Sequence, residues 1–169
     1  PIYNAIIAIL YKTFSIFTLE IWGRLTTAIS SLIIISIIYF LLLKESGRIS
    51  AIFGSLTYAI FPFFVFFSRV ILPETTALAF SMLAIFFLYL NTGHEAKGLK
   101  SDICHLASSI LFACALLIKP TIIFYLLPIL VLFYRKYKLS LIKKLNFYLY
   151  FIITLIPLIY WRFYIKSFP

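Results

Sequence analysis

The sequence predicts an all-α, polytopic transmembrane helical bundle of about six spans, preceded by an N-terminal interfacial helix. Three observations carry that prediction. The chain is 64% hydrophobic and only 12% charged, with a mean hydropathy of +1.10, far outside the range of an ordinary soluble domain. Several uncharged stretches meet or approach the roughly 20 apolar residues that a helix needs to cross a bilayer core of about 30 Å. Runs such as "SLIIISIIYFLLL" do not alternate between apolar and polar residues, which sets a β-barrel aside.

In chain order, "PIYNAIIAILYKTFSIFTLE" is apolar but interrupted by Lys12, too short to cross and suited to the interface. The uncharged stretches follow at residues 25–43, 49–68, 75–93, 103–118, 120–134 and 145–161. Residues 103–134 are too many for one straight span, and Lys119 with Pro120 stands at the midpoint, where proline disfavours helix at the residue before it. Two short helices joined by a tight hairpin are expected there; the alternative is one kinked, strongly tilted helix with Lys119 in the bilayer. Gly47, Gly93 and Gly98 mark turns between spans. Residues 1–169 read as one transmembrane domain, without soluble domain or repeat. Pro1 in place of Met, followed at once by apolar sequence with no basic leader, reads as an internal fragment.

The net charge of +10 would suggest nucleic acid in a soluble domain, but here the basic residues lie between apolar runs and report topology. The connectors "KESGR", "HEAKGLKSD" and "RKYKLSLIKK" share one side and carry nine of the fifteen Lys and Arg, so that side is expected to be cytoplasmic. Trp22, Tyr134, Tyr137 and Trp161, near span ends, read as interfacial anchors. Cys104 and Cys114, ten positions apart on one helix, would lie about 15 Å from each other, too far for a disulfide.

The opposite face carries Glu20, Arg24, Arg69, Glu74, Lys119, Arg162 and Lys166. Within it, "FSRVILPETT" sets Arg69 and Glu74 in a very short connector, close to hydrocarbon, where charges are costly unless paired or used. One account is helix capping, with Arg69 on the last carbonyls of its helix and Glu74 at the start of the next. The other is a basic basin built from Arg24, Arg69, Lys119 and Arg162, with Glu20 and Glu74 among them, suited to a phosphate at the bilayer surface, since guanidinium groups bind its oxygens bidentately. Neither histidine has the spacing of a metal site, and no Gly-rich phosphate loop, Ser-His-Asp pattern or nucleotide fingerprint occurs.

The order of these features resembles the GT-C type of polytopic glycosyltransferases that use lipid-phosphate sugars, the branch of protein O-mannosyltransferases and aminoarabinose transferases to lipid A. Four features carry the resemblance across roughly residues 1–135: Arg24 opening a span, Pro62 late in the next, Arg69 with Glu74 in the outer loop, and Lys119 after a later span. It implies sugar transfer from a polyprenyl-phosphate donor to a protein or lipid acceptor on the extracytoplasmic or lumenal face. That places the protein in a plasma, inner or endoplasmic-reticulum membrane. By the same resemblance Glu74, where the family usually has the shorter aspartate, is the second-loop carboxylate. It would orient an acceptor, hold Arg69 or bridge a divalent metal. Arg69, Arg24 and Lys119 would neutralise the donor phosphate as it leaves. The resemblance also implies that the main acidic motif, the catalytic base, lies upstream of Pro1, and that further spans follow the sixth.

Two other readings stay open on the residues alone. A transporter component would use broken helices and intramembrane charge as a path, though these charges cluster at one surface. A non-catalytic scaffold would need Arg69 and Glu74 only as caps.

Overall fold

A computed structural model describes residues 2–14, 16–92, 99–138 and 144–167, and all regular structure among them is helical. The helices are α1 (Ile2–Thr13), α2 (Leu19–Ser46), α3 (Arg48–Ile60), α4 (Pro62–Arg69), α5 (Pro73–Thr92), α6 (Leu99–Ile118), α7 (Leu126–Tyr137) and α8 (Leu145–Lys166), with a 3₁₀ turn at Pro120–Tyr125. Among the described residues, five helical stretches are long and apolar enough to cross a membrane, and six if α3 and α4 together count as one span. The chain is an integral membrane protein. It divides into two compact units, Pro1–Met82 and Leu83–Pro169, with α5 running through the division.

In the first unit α2 is the organising helix. Its 28 residues span about 42 Å at 1.5 Å each, more than a bilayer core. Its inward face is small and hydroxylated, with Gly23, Thr27, Ser30, Ser31 and Ile34 buried at helical spacing. Small side chains let backbones approach, which is how helices associate when hydrophobic burial offers no gain over lipid. Ser30 donates to Thr26 O at 2.8 Å and its hydroxyl meets Thr76 Oγ1 of α5 at 3.3 Å, so the face is polar yet satisfied. The opposite face, with Ile29, Leu32 and Phe40, is exposed and apolar, as a lipid-facing surface must be.

Thr18 occupies the N-cap of α2, and Trp22 ties the helix to what precedes it. The Trp22 indole N–H donates to Phe14 O at 3.1 Å, and its ring meets those of Phe14 and Phe17 at 6.0 and 5.7 Å. The expected interfacial anchor is therefore buried, and it holds the α1–α2 turn. Gly47, at φ +87°, makes the reversal into α3 in a conformation that strains any other residue. Farther along α3, Gly54 lies directly on Leu42, and Ile34, Tyr58 and Ala79 form a buried cluster flanked by Ile38 and Phe64.

Residues 49–68 are not one straight span. α3 and α4 meet at a bend of 60°. The cause is Pro62, whose ring disfavours helical geometry at Phe61 (φ −61°, ψ 124°) and which then starts α4 as its first residue, where a missing N–H costs nothing. At 13 and 8 residues, the two pieces are each too short to cross alone.

In the second unit Lys119 is extended (φ −146°, ψ 111°) before Pro120, so the chain breaks where the sequence predicts, but it resumes as a 3₁₀ turn before α7. α6 and α8 pack through hydroxyls: Ser108 donates to Ala84 O at 2.7 Å and meets the buried Tyr150 hydroxyl at 3.2 Å, and Thr154 donates to Ser109 O at 3.4 Å. Tyr150 also meets Phe133 of α7 edge to face at 5.1 Å.

A side chain at Gly54 would press on the end of the half-buried Leu42 side chain, which must turn aside. Gly54→Val is expected to cost about 1–3 kcal/mol by overpacking, read as a lowered melting temperature in detergent, while Ser36→Ala, on the exposed part of α2, leaves it unchanged.

Candidate functional site

The bend at Phe61 decides where Arg69 lies. α4 departs from the line of α3 and ends at Arg69, and the linker Val70–Ile71–Leu72 then passes over the start of α2. Gly23 permits that passage: a Cβ there would lie 2.8 Å from Ile71 Cγ2. The C-terminal end of α4 is capped by Thr75 of α5, whose hydroxyl donates to Phe67 O at 2.9 Å. The capping role considered for Arg69 thus belongs to Thr75. Arg69 itself is exposed and makes no hydrogen bond or ion pair among the described residues.

Between α2 and α4 lies an open groove of about 780 Å³ lined by Arg24, Ile60, Pro62, Val65, Phe66, Arg69, Val70 and Ile71. Two guanidinium groups, far apart in sequence, share one apolar-walled recess. Arg24 is paired with Glu20 one turn earlier, Nη2 to Oε1 at 2.7 Å, and both side chains are well exposed. An exposed pair of this kind adds little stability, so it leaves Arg24 free to exchange its partner for a ligand at small cost. Glu20 is thereby assigned to Arg24.

Glu74 lies in the first turn of α5, half-buried, with Oε2 out of solvent. It is not among the residues lining the groove. Its charge acts instead on Tyr3 of α1, a residue the sequence reading did not single out: burial, and secondarily the Glu74 carboxylate, push the Tyr3 hydroxyl above its ordinary range. No local pattern could have linked positions so far apart in the chain. Lys119 is half-buried at the break before the 3₁₀ turn and belongs to the second unit. Of the four expected residues, Arg24 and Arg69 are brought together, and Glu74 lies in the same unit beside α1.

A divalent metal would need donors beyond these. No group of three or more His, Cys, Asp or Glu converges among the described residues.

The second unit holds a polar cluster built around Lys136, a residue whose charge the sequence assigns to topology. Lys136 Nζ donates to Asn91 Oδ1 at 2.8 Å and to Ser101 Oγ at 3.1 Å, and lies 3.5 Å from His105 Nε2. Ser101 donates to Asn91 Oδ1 at 2.7 Å, Asn91 returns a bond to Ser101 O at 3.0 Å, and the Tyr137 hydroxyl lies 3.3 Å from His105 Nε2. One of the charges counted toward sidedness is therefore half-buried and committed to a network joining α5, α6 and α7.

No curated protein and no solved structure matches the chain. The sequence does match the profile of the dolichyl-phosphate-mannose-protein mannosyltransferase family over residues 1–161, nearly its whole length. With membrane-spanning helices and an arginine-lined groove already in place, the chain belongs to that family of membrane glycosyltransferases.

Proposed function

We propose that the chain takes part in transferring a sugar from a polyprenyl-phosphate donor to a hydroxyl of a protein or lipid acceptor on the extracytoplasmic or lumenal face. The groove shared by Arg24 and Arg69 is the observation that carries this reading. A phosphate with a long apolar tail asks for two things at once: guanidinium donors for its oxygens and an apolar wall for the first isoprene units. Arg24 and Arg69 supply the first, and Ile60, Val65 and Phe66 the second.

In the reaction the acceptor oxygen attacks the anomeric carbon, and the bond from that carbon to the phosphate oxygen breaks. The electron pair leaves with the polyprenyl phosphate, whose growing negative charge the two guanidinium groups offset. The acceptor proton passes to a general base.

The test is transfer of a labelled sugar from its polyprenyl-phosphate carrier by membranes holding equal amounts of intact protein. Arg69→Ala is expected to lower transfer about a hundredfold, the usual loss when one donor to a developing charge is removed. Arg69→Lys, which keeps the charge but not the bidentate fork, should recover part of it. Wild-type transfer by Arg69→Ala would end the phosphate role. Gly23→Val, which displaces Ile71 and with it the segment carrying Arg69, is expected to raise the KM for the donor several-fold in protein that still inserts and accumulates normally. An unchanged KM would separate the linker from the donor site.

A further inference from the structure

We infer that Glu20 is an internal competitor for Arg24, placed to weaken the groove's hold on the polyprenyl phosphate that remains after transfer more than its hold on the donor, and so to favour product release. The inference rests on the phosphate reading of the groove and adds to it a positioning residue outside the groove. Glu20 stands in the first turn of α2, one turn before Arg24, and is not among the residues that line the recess. Arg24 does line it, while its Nη2 donates to Glu20 Oε1 at 2.7 Å. One guanidinium group is therefore open to two anions, one built into the chain and one brought by the ligand.

The two arginines of the groove differ in this respect. Arg69 is exposed and makes no hydrogen bond or ion pair among the described residues, so a phosphate meets it by displacing water alone. At Arg24 the phosphate must first break the pair with Glu20. The Arg24 and Glu20 side chains are 62% and 63% exposed, so water and salt screen their attraction and the pair opens at small cost. A buried pair would close the site to phosphate; an exposed one only lowers the affinity.

Transfer changes the charge that the groove holds. The donor phosphate is a diester with one negative charge, whereas the polyprenyl phosphate left behind is a monoester, whose second ionisation at about pH 6 brings its charge close to two at neutral pH. Guanidinium groups that offset the growing charge in the transition state bind this product more tightly than the donor. What helps the bond to break thus delays departure. A fixed carboxylate beside Arg24 counters the delay in two ways. It retakes the guanidinium group when the phosphate lets go, and it repels the ligand in proportion to the ligand's charge, the product about twice as strongly as the donor.

The helix geometry suits the exchange. Residues four apart on a helix are neighbours and long side chains lean toward the N-terminus, so Arg24 reaches Glu20 with no rearrangement of α2. A carboxylate in the first turn also complements the helix dipole. That role is separable, because it acts on stability and not on the affinity for phosphate.

The experiment is isothermal titration of the intact detergent-purified protein with two probes, farnesyl phosphate, a monoester, and methyl farnesyl phosphate, a diester, at about pH 8, where the monoester carries two charges. Glu20→Gln is expected to lower the Kd of the monoester about fivefold and that of the diester about twofold, within the range set by a surface ion pair. Glu20→Asp, which keeps the charge, should bind both probes as the wild type does. The position is exposed, so both variants are expected to fold and to stay within a few degrees of the wild-type melting temperature. Unchanged Kd values in Glu20→Gln, or equal tightening of the two probes, overturn the inference and leave the phosphate reading standing. Arg69→Ala is titrated beside them: if the monoester binds the wild type no more tightly than it binds Arg69→Ala, the phosphate reading falls and the inference falls with it.

Discussion

A proline disfavours helix at the residue before it, and the candidate donor site depends on where that preference breaks a helix. At Phe61 it turns an apolar stretch of spanning length into two short helices set 60° apart, and the second of them ends at Arg69. Without the bend, α4 would continue along α3, and the wall formed by Ile60, Pro62, Val65 and Phe66 would not face Arg24. The backbone groups freed by the break are recovered locally: Phe61 N–H reaches Thr57 O at 3.0 Å and Val65 N–H reaches Phe61 O at 3.1 Å. A broken helix in a membrane protein persists only when such bonds are remade.

Around that bend the first unit is held by closeness rather than by bulk. Gly23 admits Ile71, Gly54 admits Leu42, and Ser30 and Thr76 meet between α2 and α5. In lipid, burying another leucine gains little, while a small residue that lets two backbones approach gains many dispersion contacts. The same economy recurs in the second unit, where Ser108, Ser109 and Thr154 sit fully buried between helices. At the surface this packing leaves arginines with small or weakly held commitments beside an apolar wall.

Much of this architecture is legible in the chain itself. Long uncharged stretches demand helices, because only a helix satisfies its own backbone in hydrocarbon. The break before Pro120, the turn at Gly47 and the placement of Arg69 and Glu74 at a helix end and a helix start all follow from local rules. Proline alone does not say what it will do, however. Pro157 lies inside α8 without ending it, and Pro128 sits in the first turn of α7, whereas Pro62 bends the chain.

The sequence by itself therefore determined the fold class, the number of apolar stretches and the residue types available to a phosphate, since each of these rests on composition and on rules reaching a few residues. Only the tertiary structure decided which of those residues meet. Arg24 and Arg69 share a groove because a bent helix returns to the start of α2, Tyr3 lies under the influence of Glu74, and Lys136 is drawn into a network with Asn91, Ser101 and His105. The physical reason is one of range. Hydropathy and helix propensity act along the chain, whereas packing and electrostatics act through space, between positions no local pattern connects.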